Sequence, residues 1–316
     1  MHRKGKFLTS WAVFTVVGGA SISLARQRFE VGLGQAQARL DHPAWHVRTF
    51  TGTKATTAYV DHGTGPAVLV LHGNNGGWDQ SMDWAQRRLP TGFRIIAPSR
   101  FGYPGSSIPP AATTAGQAEA LAELLEHLDL AEVAVVSLSA GANVAARLAV
   151  AHPERVRALV LESPVVPGEA AHRMPPEGLT RAMVRNEYLF WALTRMPWLI
   201  GPATGVPWKH LDAGQKAELS EIMTTLTPVK PRAEGMLLDS LVAIPEIARD
   251  EVPWEQIKAP TLLVTAAHEA TTPVEDAVEL VDRLQNGRLI TMPTGGHLLL
   301  GNVEALRTVL SDFLGG

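Results

Sequence analysis

Six short runs in this chain are apolar almost without interruption: 67–71 (AVLVL), 93–97 (FRIIA), 133–136 (VAVV), 158–161 (ALVL), 261–265 (TLLVT) and 288–292 (RLITM). Runs of four or five residues with little alternation suit strands covered on both faces. Ahead of them, 47–50 and 56–61 alternate apolar and polar positions, consistent with an antiparallel entry to the same sheet. Stretches at 81–89, 114–128, 143–151, 273–284 and 303–313 carry helical spacing and separate most of the runs. Buried strands alternating with helices predict an α/β fold, a mostly parallel sheet with helices on both faces.

One interval breaks the rhythm. Between 161 and 261 the sequence shows helix-like segments and no buried strand, yet it holds five of the eight methionines and four of the eight tryptophans. It reads as a helical insertion across the C-terminal edge of the sheet, where open α/β folds bind ligands. Most of these side chains are expected to form the insertion's own core, with two or three left to line a pocket. The resulting organisation is an N-terminal segment 1–26, a polar spacer 27–44, a first core part 45–163, a helical cap 164–258 and a second core part 259–316.

The N-terminus adds a targeting signal. Residues 1–6 (MHRKGK) are basic, and 7–25 (FLTSWAVFTVVGGASISLA) carry no charge. Nineteen such residues reach the length of a membrane span, whereas a secretory signal usually has a shorter apolar region and a small-residue cleavage site. The basic flank ahead of the stretch slightly exceeds the one behind, which favours a cytoplasmic N-terminus. The expectation is a signal anchor, with a cleaved signal peptide as the alternative. Both place the body outside the cytoplasm. The net charge of −3 gives no case for nucleic acid as a partner, and the absence of cysteine excludes disulfides, thiol nucleophiles and thiolate metal sites.

The chemistry concentrates at strand ends. After 133–136 come Ser137, Leu138, Ser139, Ala140 and Gly141, and then a helical pattern. A nucleophile on a strand-to-helix turn takes strained dihedrals, so the residues two before and two after it must be small. Ser139 satisfies this through Ser137 and Gly141, whereas Ser137 would face Val135. Ser139 is therefore the candidate nucleophile, and Ser137 is there for its size. After 67–71 the turn HGNNGG (72–77) offers backbone N–H groups, and those of Asn74 and Ala140 could form an oxyanion hole, worth about 3 kcal/mol per donor in a transition state. After 288–292, Gly295 and Gly296 lead to His297, a base of suitable pKa for a serine hydroxyl. A carboxylate must orient that histidine. Glu269, after 261–265, is the preferred acid and Glu162, at the end of 158–161, the alternative. Asp239 and Asp276 are expected at the surface.

Nucleophile, acid and base thus come in the order Ser139, Glu269, His297, each after a strand of one sheet. With the HG turn, the elbow, the segment PTLLV and the segment GGHLLLG, this order resembles the α/β-hydrolase fold superfamily over roughly 45–313. The stretch 97–105 (APSRFGYPG) is similar to the superfamily's loop after the fourth strand, with Ser99 where aspartate is frequent, a change expected to affect loop packing rather than chemistry. Ser137 stands where glycine is usual and Glu269 where aspartate is commoner. The resemblance implies a serine hydrolase that needs no metal or organic cofactor and acts on a small ester-like substrate, apolar or amphipathic, through an acyl-enzyme on Ser139. C–C bond hydrolysis, lactone opening and cofactor-free perhydrolysis would use the same residues, and a non-catalytic binding protein on the scaffold is a further alternative.

Overall fold

A computed structural model describes residues 5–167, 177–200, 205–269 and 271–315, and of 5–22 the backbone alone. The chain divides after His42 into two compact units. In the first, helix α1 (Gly5–Leu40) takes in most of the expected spacer. The Ala, Gln, Arg and Leu residues of that stretch are strong helix formers. Among the described residues no helix is long and apolar enough to cross a membrane. The stretch 7–25 lies mostly outside the residues whose side chains are described.

The second unit is built on one eight-stranded sheet. Its strands are β1 (Arg48–Thr51), β2 (Thr56–His62), β3 (Ala67–Leu71), β4 (Arg94–Pro98), β5 (Val133–Leu138), β6 (Val156–Glu162), β7 (Thr261–Ala266) and β8 (Gly287–Met292), in the spatial order β1-β2-β4-β3-β5-β6-β7-β8. β1 and β2 pair antiparallel and β2 joins β4 antiparallel, while β4, β3, β5, β6, β7 and β8 run parallel. The near-continuous apolar runs have the expected cause: β3 is buried at every position, and β5 and β6 at all but one.

Helices α2 (Trp78–Arg88), α3 (Thr114–His127) and α4 (Ala142–Ala151) follow β3, β4 and β5. Between β6 and β7 lie α5 (Glu177–Arg185), α6 (Glu187–Thr194), α7 (Pro197–Ile200), α8 (Ala213–Thr225), α9 (Ala233–Leu238) and α10 (Ile244–Ala248), with no strand among the described residues. α11 (Val274–Arg283) and α12 (Val303–Gly315) complete the chain. The main core joins Leu69, Leu71, Val135, Leu159, Leu161 and Leu263 of the sheet to Leu124, Leu148 and Trp254.

α2 starts three residues earlier than the periodicity implies, because the Trp78 N–H is satisfied by the Ser99 hydroxyl at 3.1 Å, from the loop after β4. A cap supplied by a distant loop restores a bond that every helix start otherwise lacks. The serine standing where aspartate is frequent thus accepts from the N-terminus of α2.

Candidate active site

The carboxyl ends of β5, β7 and β8 bring together Ser139, Glu269 and His297. Ser139 is the first residue after β5, at φ +50°, a left-handed conformation that costs an L-residue roughly 1–2 kcal/mol. Its neighbours explain how the turn is tolerated. A Cβ on Gly141 would lie 2.8 Å from the His72 carbonyl oxygen and 3.0 Å from that of Leu71, so only glycine fits. Ser137 is fully buried with its Oγ 3.5 Å from the Val160 carbonyl oxygen, and takes no part in the cluster of Ser139, His297 and Glu269.

His297 sits on a short turn that Gly295 opens at φ +105°, where a Cβ would strike the Leu299 and Leu300 backbone at 2.6 Å. Asn302 closes the turn by donating to the carbonyls of Thr294 (2.9 Å) and Leu300 (3.1 Å). The result is a histidine whose Nε2 lies 2.9 Å from Ser139 Oγ and whose Nδ1 lies 3.0 Å from Glu269 Oε1.

Thr271 is a participant that sequence reasoning missed. Its Oγ1 is 2.7 Å from His297 Nδ1 and donates to Glu269 Oε1, and its N–H reaches the same oxygen at 2.7 Å. The Nδ1–H therefore faces a carboxylate oxygen already held from two sides. Burial pushes the Glu269 carboxyl up, but the charge of a protonated His297, the bond to its ring and the two Thr271 donors outweigh it. The net displacement is downward. Glu269 Oε2 is buried and has no hydrogen-bond partner among the described residues.

Glu162 is placed elsewhere. It is the last residue of β6, paired in register with Leu138, and its Oε2 accepts from Arg88 Nη1 at 2.5 Å and Trp84 Nε1 at 2.9 Å. It makes no hydrogen bond to His297. The alternative acid is thus a buried ion-pair partner, a strand residue held through its Oε2 by α2. Arg88 also donates to the Leu298 carbonyl at 2.7 Å, tying α2 to the residue after His297.

Asn74 lies in the turn after β3 beside the cluster, and Ala140 is fully buried at the start of the elbow turn. His72 is buried and neutral: burial lowers its pKa well below the usual value, and Arg100 lowers it further. The ring donates from Nδ1 to the Gly73 carbonyl at 2.8 Å and accepts the Arg100 N–H at Nε2 (3.0 Å). Asp239, expected at the surface, is 2 % exposed and pairs with Arg100 at 2.5 Å. Its exposure could not be inferred from a polar position in an insertion, because the partner lies 139 residues away.

A cavity of about 250 Å³ opens over Ser139 and His297. Trp84 of α2 and Ile222, Met223 and Leu226 at α8 supply much of its apolar wall, with Leu138 and Leu298 at the base. Met223 is thus one of the insertion's methionines that reaches the cavity. Others, such as Met236, pack within the insertion. Among the described residues no group of acids and histidines is arranged to hold a metal ion.

Comparison with known proteins agrees with this architecture. An uncharacterised hydrolase of Bacillus subtilis is 23% identical over 85% of this chain and 98% of its own. The structure of an α/β hydrolase fold protein from Nakamurella multipartita is similar at 27% identity, with a TM-score of 0.67 over 85% of this chain and all of that one. An esterase from Exiguobacterium antarcticum has the same fold at 18% identity, with a TM-score of 0.67 over 85% of this chain and 99% of the other. The profile of the α/β hydrolase fold matches residues 66–302. This chain is a hydrolase-family protein and belongs to the α/β-hydrolase fold family.

Proposed function

We propose that the protein is a serine hydrolase of carboxylic esters with an apolar or amphipathic acyl part. One observation carries this reading: Ser139 Oγ, His297 and Glu269 form an unbroken hydrogen-bonded chain, and its Ser139 and His297 members line a cavity whose exposed surface is mainly apolar. Ser139 Oγ attacks the ester carbonyl as His297 Nε2 takes its proton, and Glu269 stabilises the imidazolium through Nδ1–H. The backbone N–H groups of Asn74 and Ala140 hold the oxyanion. His297 returns the proton to the departing alkoxide, and water activated by the same nitrogen then hydrolyses the acyl-enzyme. The helices α5–α10 act as the cap, with α8 supplying the roof against which the acyl part lies. No metal or organic cofactor enters this scheme.

The same proposal tethers the protein to a membrane through 7–25, with the catalytic unit outside the cytoplasm. The uncharged length of that stretch and its basic flank support this. Fractionation with the intact mass of the membrane-bound chain tests it: soluble protein of full mass contradicts tethering, and a mass lacking the first 18–25 residues indicates a cleaved signal.

A fluorophosphonate probe tests the chemistry. Wild type is expected to label and Ser139→Ala not to label. Equal labelling of both, or of neither, overturns the serine-hydrolase reading. Hydrolysis of p-nitrophenyl esters of graded chain length, run beside lactones and diketones, then ranks the ester reading against lactone opening and C–C hydrolysis.

A further inference from the structure

The carbonyls of the glycine turn 72–77 are held from behind by two buried guanidinium groups. Arg100 donates from Nε to the His72 carbonyl at 3.0 Å and from Nη2 to the Gly73 carbonyl at 2.9 Å, and Arg232 donates from Nη1 to the Gly76 carbonyl. Both arginines are almost wholly enclosed, at 1 % and 0 % exposure. A charge so buried persists only with a partner, and each has one. Asp239 receives Arg100 at 2.5 and 2.6 Å, and Asp79 receives Arg232 at 2.7 and 3.0 Å. The pairs cross over. Arg100 lies in the loop after β4 and Asp79 in α2, whereas Asp239 and Arg232 belong to the insertion between β6 and β7.

The planarity of the peptide unit turns this bracing into aim. In a trans peptide the C=O and the following N–H point in opposite directions. Holding the Gly73 carbonyl between Arg100 Nη2 and the His72 Nδ1–H, whose ring accepts the Arg100 N–H in turn, therefore turns the Asn74 N–H to the opposite side of the turn. Gly73 itself packs on the nucleophile, since a Cβ there would sit 3.0 Å from Ser139 Cβ. The next N–H is fixed as well. Asn75 donates to the Tyr103 hydroxyl oxygen at 3.2 Å, and that hydroxyl gives its proton to Asp239 at 2.6 Å.

We propose that Arg100 and Asp239 are positioning residues for the oxyanion hole, so that docking of the insertion onto the glycine turn sets the aim of the Asn74 N–H. This rests on the serine-hydrolase reading above. The insertion then does more than roof the cavity: through Asp239 it fixes a donor that only the charge-developing transition state uses in full. The consequence is a rate effect separable from substrate binding.

Asp239→Asn keeps the shape of the side chain and removes its charge. It is expected to lower kcat on a p-nitrophenyl ester by 10- to 100-fold with KM within about 3-fold, since losing one oxyanion donor outright costs about 100- to 1,000-fold. Affinity for a trifluoromethyl ketone, whose adduct carries the oxyanion, is expected to fall in parallel. The acid limb of the kcat/KM profile is expected to stay in place, because Ser139, His297 and Glu269 are untouched. Tyr103→Phe retains the volume and gives a second reading if Asp239→Asn does not fold, with an expected loss of about 3- to 10-fold in kcat. A folded variant whose loss falls wholly in KM, or that binds the ketone as wild type does, overturns the proposal. Failure of wild type to label with a fluorophosphonate instead removes the reading beneath it, so the two failures are distinguishable.

Discussion

Replacing Glu269 by glutamine removes a charge while leaving the geometry in place, and the structure says why. Both Thr271 donors, the N–H and the hydroxyl, converge on Oε1, and Oε2 has no partner among the described residues. The amide oxygen of glutamine is therefore held at the Oε1 position and its NH2 occupies the other. His297 Nδ1–H still finds an acceptor and the imidazole keeps its tautomer. What disappears is the attraction between carboxylate and imidazolium. With Nδ1 and Oε1 at 3.0 Å the charge centres are about 4 Å apart, and at an effective dielectric near 20 that attraction is about 4 kcal/mol. The high-dielectric limit does not apply, because the Glu269 side chain has no exposure and that of His297 has 18 %. A loss of 4 kcal/mol in the transition state is a drop of about 1,000-fold in rate. The assay is the second-order rate of fluorophosphonate labelling beside kcat/KM on p-nitrophenyl butyrate, with circular dichroism to confirm folding. Glu269→Ala is expected to lose more, since it also leaves Nδ1–H without its carboxylate. Retention of more than a tenth of wild-type activity by Glu269→Gln would refute the assignment of Glu269 as the orienting acid.

Three further outcomes follow from the same geometry. Glu162→Gln leaves Arg88 buried without its counter-charge and is expected to cost about 3–5 kcal/mol in urea unfolding, whereas adding Arg88→Met recovers most of it; equal midpoints for Glu162→Gln and wild type would contradict a buried pair. On the proposed function, Ser139→Gly and Ser139→Ala are both expected to abolish activity, but glycine accepts φ +50° freely, so the glycine variant is expected to be more stable by about 1 kcal/mol; an alanine variant of equal or greater stability would mean that the elbow stores no strain. The folded carboxyl of Glu269 titrates below its unfolded value, so its ionised form contributes stability that is fully present above about pH 4.3 and is lost as pH falls through the lower folded value. The stability gap between wild type and Glu269→Gln is expected to narrow on acidification, and a gap independent of pH from 3 to 7 would argue against the downward displacement.

The parts of the site that were legible in the sequence are those with local signatures. An elbow betrays itself by small residues two before and two after the candidate nucleophile, and Ser139 with Ser137 and Gly141 shows this without reference to anything distant. His297 and Glu269 are likewise announced by the strand that ends just before each. The alternating strand and helix pattern carries the sheet in the same way, since burial on both faces leaves a run of apolar letters. What was not legible depends on convergence. Thr271 is a threonine in a loop until the β8 turn brings His297 against it. Asp239 is a polar residue in an insertion until Arg100 arrives from the loop after β4. Glu162 illustrates both sides: its type and its place at a strand end fit an acid, and only the packing of α2 shows that its charge is already used by Arg88.

The two crossed pairs behind the glycine turn bear on how such a chain can change over generations. A substitution that neutralises Asp239 takes the counter-charge from the buried Arg100, and one that alters Arg232 removes the guanidinium that pairs with the buried Asp79 carboxylate. Neither segment can drift alone without passing through a crippled intermediate. Exchange of the insertion for one from a relative would succeed only if it brought an acid and a base to the same two places. Positions 79, 100, 232 and 239 are thus expected to behave as a set, changing together or staying as they are in descendants of this sequence.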